Sequence, residues 1–105
     1  MGESEAARLS HEIVTSGDGS VVVKLDGELD ISTVEQLRDA VAEVIGSAQT
    51  CLVIDAEDLR FADSTGLALW VTWSREVPRI EIRNAHPLVL RVIQTMGLSE
   101  ILNPS

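Results

Sequence analysis

The sequence predicts a single α/β domain. It has a mixed β-sheet of about four to five strands with helices packed against it, in the order β-β-α-β-α-β-α and then a short closing strand. Three observations carry this. Short β-branched or apolar runs alternate with stretches of helical periodicity. The chain has 105 residues, enough for one core and too few for two. It is 45% hydrophobic and 24% charged, which suits a folded domain and excludes a disordered one. The domain is expected to span residues 8–105, with residues 1–7 a flexible N-terminus.

The elements follow in order. Residues 9–15 alternate loosely, as an edge strand can, and Gly17-Asp18-Gly19 marks a turn. Val21, Val22, Val23 and Leu25 form a buried strand that Gly27 should end. Ser32-Thr33-Val34-Glu35 fits a capping box, and Val34, Leu37, Val41, Val44 and Ile45 recur at helical spacing until Gly46. Cys51-Leu52-Val53-Ile54 is a short strand expected to stop at Asp55 and give way to a loop. Residues 67–75 suit a helix that Pro78 terminates. Ile80-Glu81-Ile82-Arg83 alternates as a strand, and Pro87 fits the first turn of a helix carrying Leu88, Val92 and Met96 up to Gly97. Ile101 and Leu102 are expected to make the closing strand.

Charge narrows the function. There are 17 acidic against 8 basic residues, a net charge of −9, with the excess concentrated in residues 1–66. Such a chain lacks the clustered Lys and Arg that nucleic acid or an anionic membrane requires. An acidic half suits a basic protein partner or a plain solvated face. The longest apolar run, Leu67 to Val71, falls far short of the ~20 residues of a membrane span. The N-terminus has no apolar signal core, and the lone Cys51 excludes an internal disulfide, so a cytoplasmic location is expected.

Asp63-Ser64-Thr65-Gly66 stands between an apolar segment and an apolar helix. Asp63 or Ser64 would be the N-cap, and the free N–H groups of a helix start favour an anion, such as a phosphate on Ser64 or Thr65. Gly66 would let another molecule approach the backbone. Gly27-Glu28-Leu29-Asp30 ends the second strand, and in a parallel arrangement it would lie at the same sheet edge. Asp30 and Asp63 beside a hydroxyl suit a phosphorylation-sensitive surface, a metal site, or two independent helix caps. All three aromatics, Phe61, Trp70 and Trp73, lie close to this motif. Trp70 reads as core, whereas Trp73 is either core or an exposed anchor for a partner or a homodimer. His11 and His86 have no metal-ligand spacing, and Cys51 reads as a buried thiol. A hydrolase triad of Ser64, a histidine and an aspartate lacks the G-x-S-x-G elbow.

The two motifs together resemble the STAS family of bacterial anti-sigma-factor antagonists. They run from Gly27-Glu28-Leu29-Asp30 to Phe61-Ala62-Asp63-Ser64-Thr65-Gly66-Leu67, about thirty residues on. Leu90-Arg91-Val92-Ile93-Gln94-Thr95-Met96-Gly97-Leu98 is similar to that family's third helix and its closing Gly-Leu. The resemblance implies a STAS-like fold and a non-catalytic regulator with no cofactor or metal of its own. It implies binding to an anti-sigma factor that is also a serine kinase, which releases a sigma factor. It implies that phosphorylation of Ser64, with Thr65 as the alternative, breaks that complex and that a serine phosphatase restores it. Asp30, Asp63, Ser64, Thr65, Gly66 and Trp73 are then the expected partner-binding residues. The competing reading is a STAS scaffold or sensor subunit of a larger signalling complex.

Overall fold

A computed structural model describes residues 9–105, so the expectations for residues 1–7 and for a boundary at residue 8 lie outside the described residues. Four strands, β1 (Leu9–Thr15), β2 (Ser20–Leu29), β3 (Cys51–Ala62) and β4 (Ile80–Arg83), form one sheet in the order β1-β2-β3-β4. β1 pairs antiparallel with β2, and β2, β3 and β4 run parallel. Helix α1 (Val34–Ala42) crosses from β2 to β3, and α2 (Ser64–Ser74) from β3 to β4. Two further helices, α3 (Pro87–Thr95) and α4 (Ser99–Leu102), follow β4.

The β1–β2 hairpin closes where the turn signal predicted. Gly19 takes φ +89°, open to glycine at little cost, and the Asp18 carboxylate accepts from the Ser20 N–H and hydroxyl. Alternation then sorts the sheet. Val21, Val23 and Leu25 on β2, Leu52, Ile54 and Ala56 on β3, and Ile80 and Ile82 on β4 join one core with residues of all four helices. Between them, Lys24, Asp26 and Arg83 are exposed, and Glu81 pairs with Arg79 at 2.9 Å and Arg83 at 3.1 Å. The helices therefore cover one face of the sheet and leave the other to solvent.

Several expected boundaries move. Gly27 does not end β2, and the segment after Ile54 is strand rather than loop. The β2–β3 pairing continues to Leu29 and Ala62 through two register shifts, between Lys24 and Asp26 and between Gly27 and Glu28. Gly27 sits at the second shift with φ +120°. These irregularities break the strict alternation by which a strand is read. Helix α1 ends at Ala42, ahead of Gly46, which lies in a separate 3₁₀ turn, Ile45–Ser47. The residue at the N-cap is Thr33 rather than Ser32, and the Thr33 side chain makes no capping bond.

The closing strand is also corrected. Ile101 and Leu102 belong to α4, in which the Leu102 N–H donates to the Leu98 carbonyl at 2.9 Å and the Leu102 side chain is fully buried. One helical turn buries Leu102 and leaves Ile101 outside, where a strand would also have placed them on opposite sides. Past it, Pro104 makes a single parallel bridge to Ile82, and the Ser105 N–H donates to the Ile82 carbonyl at 2.9 Å. The chain thereby covers the outer edge of β4 at that point.

Candidate functional site

The parallel register sets the site. Leu29 and Ala62, the last residues of β2 and β3, are Cα partners, so the chain leaves both strands at one edge of the sheet. The Asp63 N–H donates to the Leu29 carbonyl at 3.1 Å, which ties the two exits together. The loops carrying Asp30 and Asp63 are neighbours, as their sequence positions predict.

Asp63 is the N-cap of α2. It has extended backbone, and its Oδ1 accepts the Gly66 N–H at 3.1 Å. Ser64 is the first residue of the helix and is exposed; Thr65 beside it is half-buried. A hydroxyl at this position projects from a helix start whose remaining N–H groups are directed towards the same solvent.

The Asp30 loop is held from within. Asp30 Oδ1 accepts from the Ser32 N–H at 2.9 Å and from its hydroxyl at 2.6 Å. The Ser32 hydroxyl is the main cause holding this carboxyl below the usual aspartate range. The Asp30 N–H donates to Thr33 Oγ1 at 3.0 Å, and that hydroxyl donates to the Glu28 carbonyl at 3.0 Å. Thr33 is buried and polar, and these bonds satisfy it. They also explain why Thr33 makes no capping bond, because its hydroxyl is turned back toward the strand. Each aspartate accepts hydrogen bonds within its own loop. Among the described residues, no group of three or more His, Cys, Asp or Glu could hold a metal ion.

Two expected partner residues are corrected. Gly66 is buried, and a Cβ there would stand 2.6 Å from Leu29 Cγ and 2.8 Å from its Cδ2. The missing side chain admits Leu29 of the same chain, not a visitor. Trp73 is 3% exposed and joins the core, so it is not an exposed anchor. Helix α2 is apolar on most of its circumference, and both tryptophans go inward because it lies between α1 and α4. An edge of Trp73 reaches a cavity of about 520 Å³ between α1 and α2, which Val34, Arg38 and Thr65 also line. His86, a candidate base for Ser64, instead sets Nε2 2.8 Å from the Glu57 carbonyl. Cys51 opens β3, and its thiol is half-buried rather than buried; desolvation pushes its pKa up.

One feature lay outside the sequence reading. Ile31, between Asp30 and Ser32, is 78% exposed, and Phe61 at the end of β3 is 40% exposed. The signal available was an isoleucine outside any strand or helix period, set between an Asx-turn aspartate and its serine.

Comparison with known proteins agrees with this geometry. The family described as "Mlab, STAS domain" matches residues 13–103. The chain belongs to the STAS domain family. The anti-sigma F factor antagonist of Lysinibacillus sphaericus is 34% identical over 84 residues, 75% of this chain and 72% of that protein. The anti-sigma-F factor antagonist RsfB of Mycobacterium tuberculosis is 33% identical over 64 residues, 61% of this chain, and the match spans 52% of RsfB's own length. Among solved structures, the anti-sigma factor antagonist SpoIIAA in its unphosphorylated form is 31% identical with a TM-score of 0.77, covering 91% of this chain and 88% of that one. The phosphorylated form of SpoIIAA, from Bacillus, is 30% identical with a TM-score of 0.69, covering 91% of each chain. On these likenesses the chain falls among the anti-sigma-factor antagonists of the STAS family.

Proposed function

We propose that this STAS domain is an anti-sigma-factor antagonist: a non-catalytic module that binds an anti-sigma factor serine kinase and is released by phosphorylation of Ser64. The observation that carries the reading is the position of Ser64. It is an exposed hydroxyl at the first residue of α2, directly after the capping Asp63, on the edge shared with Asp30. Its relative SpoIIAA has been solved in unphosphorylated and phosphorylated forms.

The electrostatics favour a switch that acts on the interface. A phosphoserine adds about −1.5 to −2 charges at pH 7. The helix start accommodates that charge within the domain, while an already acidic edge becomes hostile to a surface fitted to a neutral hydroxyl. Mg-ATP belongs to the kinase, and a serine phosphatase resets the switch. Thr65, half-buried, is the less accessible acceptor.

The test is mass spectrometry after incubation with Mg-ATP and the anti-sigma kinases of the organism that encodes the chain, with Ser64→Ala as control. One phosphoryl group on Ser64, absent from the variant, is expected. Modification at Thr65 would move the switch by one residue. No modification by any kinase would overturn the switch and favour a STAS scaffold or sensor subunit.

A further inference from the structure

We infer that Ile31 and Phe61 are the apolar anchors by which this edge docks its partner, and that the partner presents an apolar socket rimmed by basic residues. The inference rests on the reading above and names the surface that Ser64 controls.

Exposure is the first observation. Ile31 and Phe61 are among the few large apolar side chains left in solvent, at 78% and 40%. Single exposed apolar residues are ordinary. These two are distinguished by their place. Ile31 lies two residues beyond Leu29, whose carbonyl holds Asp63, and Phe61 lies three residues before Ser64. Both therefore belong to the chain segments that carry the candidate switch.

Rigidity is the second. The loop presenting Ile31 is closed by the Asp30–Ser32 and Asp30–Thr33–Glu28 hydrogen bonds. Phe61 stands on β3, paired with Glu28 of β2. A side chain presented on fixed backbone loses little freedom on binding, which is the property of an anchor.

Charge selects the occupant. Residues 26–35 carry four acids and no base, and residues 55–66 carry four acids and one base. That base, Arg60, lies 3.9 Å from Asp26. A second copy of this chain would bring the same acidic edge and be repelled, whereas a surface with Lys or Arg around an apolar socket is complementary. Phosphate on Ser64 would itself attract a basic rim, so it breaks the complex by its bulk and its desolvation cost against a surface fitted to a small neutral hydroxyl, rather than by charge repulsion or by unfolding the domain.

The test is titration calorimetry of the full chain with each anti-sigma factor of its organism, for wild type, Ile31→Ser and Phe61→Ser. Thermal melts confirm that each variant is folded; Ile31, most of it in solvent, guards against a folding artefact at Phe61. Each substitution is expected to weaken the complex by about tenfold or more. The wild-type complex is expected to weaken as salt rises from about 50 to about 500 mM, as its charges are screened. Unchanged affinity in folded Ile31→Ser, with Ser64 still phosphorylated by the bound kinase, would overturn the inference and leave the function standing. Failure of every anti-sigma factor to bind the wild type would overturn both. A wild-type homodimer dissociated by Ile31→Ser would assign the surface to a second copy and overturn the proposed partner.

Discussion

Gly66 and Leu29 meet so closely that no side chain fits at position 66: a Cβ there would lie 2.6 Å from Leu29 Cγ and 3.3 Å from the Leu29 carbonyl oxygen. Leu29 is fully buried at the end of β2, so it has nowhere to retreat. This contact seats the first turn of α2 on the sheet and thereby places Ser64. Gly66→Ala gains helix propensity of up to about 1 kcal/mol but incurs overpacking of about 1–3 kcal/mol. Net destabilisation is expected, read as a lower midpoint in urea. In a Leu29→Ala background the same substitution should cost much less, because the obstructing atoms are gone.

Ser64 offers a clean separation of folding from binding. It is exposed and opens the helix. Ser64→Ala is expected to change stability by less than about 0.5 kcal/mol. Ser64→Asp places a negative charge at a helix start and should be neutral or stabilising by about 0.3–1 kcal/mol. Both variants should give native circular dichroism, yet only Ser64→Ala should bind the anti-sigma factor. A Ser64→Asp protein that melts well below wild type would show that the charge acts on the fold.

Asp63 separates cap from charge. Its Oδ1 accepts the Gly66 N–H at 3.1 Å. Asp63→Ala removes the cap and should cost about 0.5–2 kcal/mol in chemical denaturation. Asp63→Asn keeps an oxygen acceptor, and asparagine is as good an N-cap as aspartate, so it should stay within a few tenths of wild type. Any effect of Asp63→Asn on partner affinity then reports the charge alone.

The parts of the fold that obey a simple period were legible in advance. The strand of Val21, Val23 and Leu25, the helix of Val34, Leu37 and Val41, the Asp63 cap and the Pro87 helix start all stand where the sequence places them. The misreadings have local causes. The end of β3 hides behind two register shifts, which put Glu57 and Asp58 together in solvent and read as loop. By sequence alone Gly27 reads as a strand end and Gly66 as an open approach, the usual reasons for a glycine. Their actual reasons, a left-handed backbone and contact with Leu29, depend on a partner strand that no local pattern reveals. Trp73 falls inward because α4 and α1 flank α2, a tertiary fact. At the site, the neighbouring aspartates followed from parallel order, whereas Ile31 lay in a loop where apolar periodicity says nothing.

The Asp30 loop makes a prediction in pH. Its carboxyl is held below the usual aspartate range, first by the Ser32 hydroxyl, so the charged form is favoured more in the folded chain than in the unfolded one. The sign follows by linkage. A depressed folded pKa contributes stability that is fully present above the unfolded value and is lost as pH falls through the folded one. Asp30→Ala removes both the charge and the acceptor. The stability difference between wild type and Asp30→Ala, from urea midpoints at a series of pH values, should be constant above about pH 5 and shrink below about pH 4. Ser32→Ala removes the main cause of the shift, so in that background the fall should begin at the same pH, end at a higher one and be smaller. A difference that stays flat to about pH 3 in wild type would mean that the carboxylate gains nothing from Ser32, and that the Thr33 hydroxyl alone fixes the loop presenting Ile31.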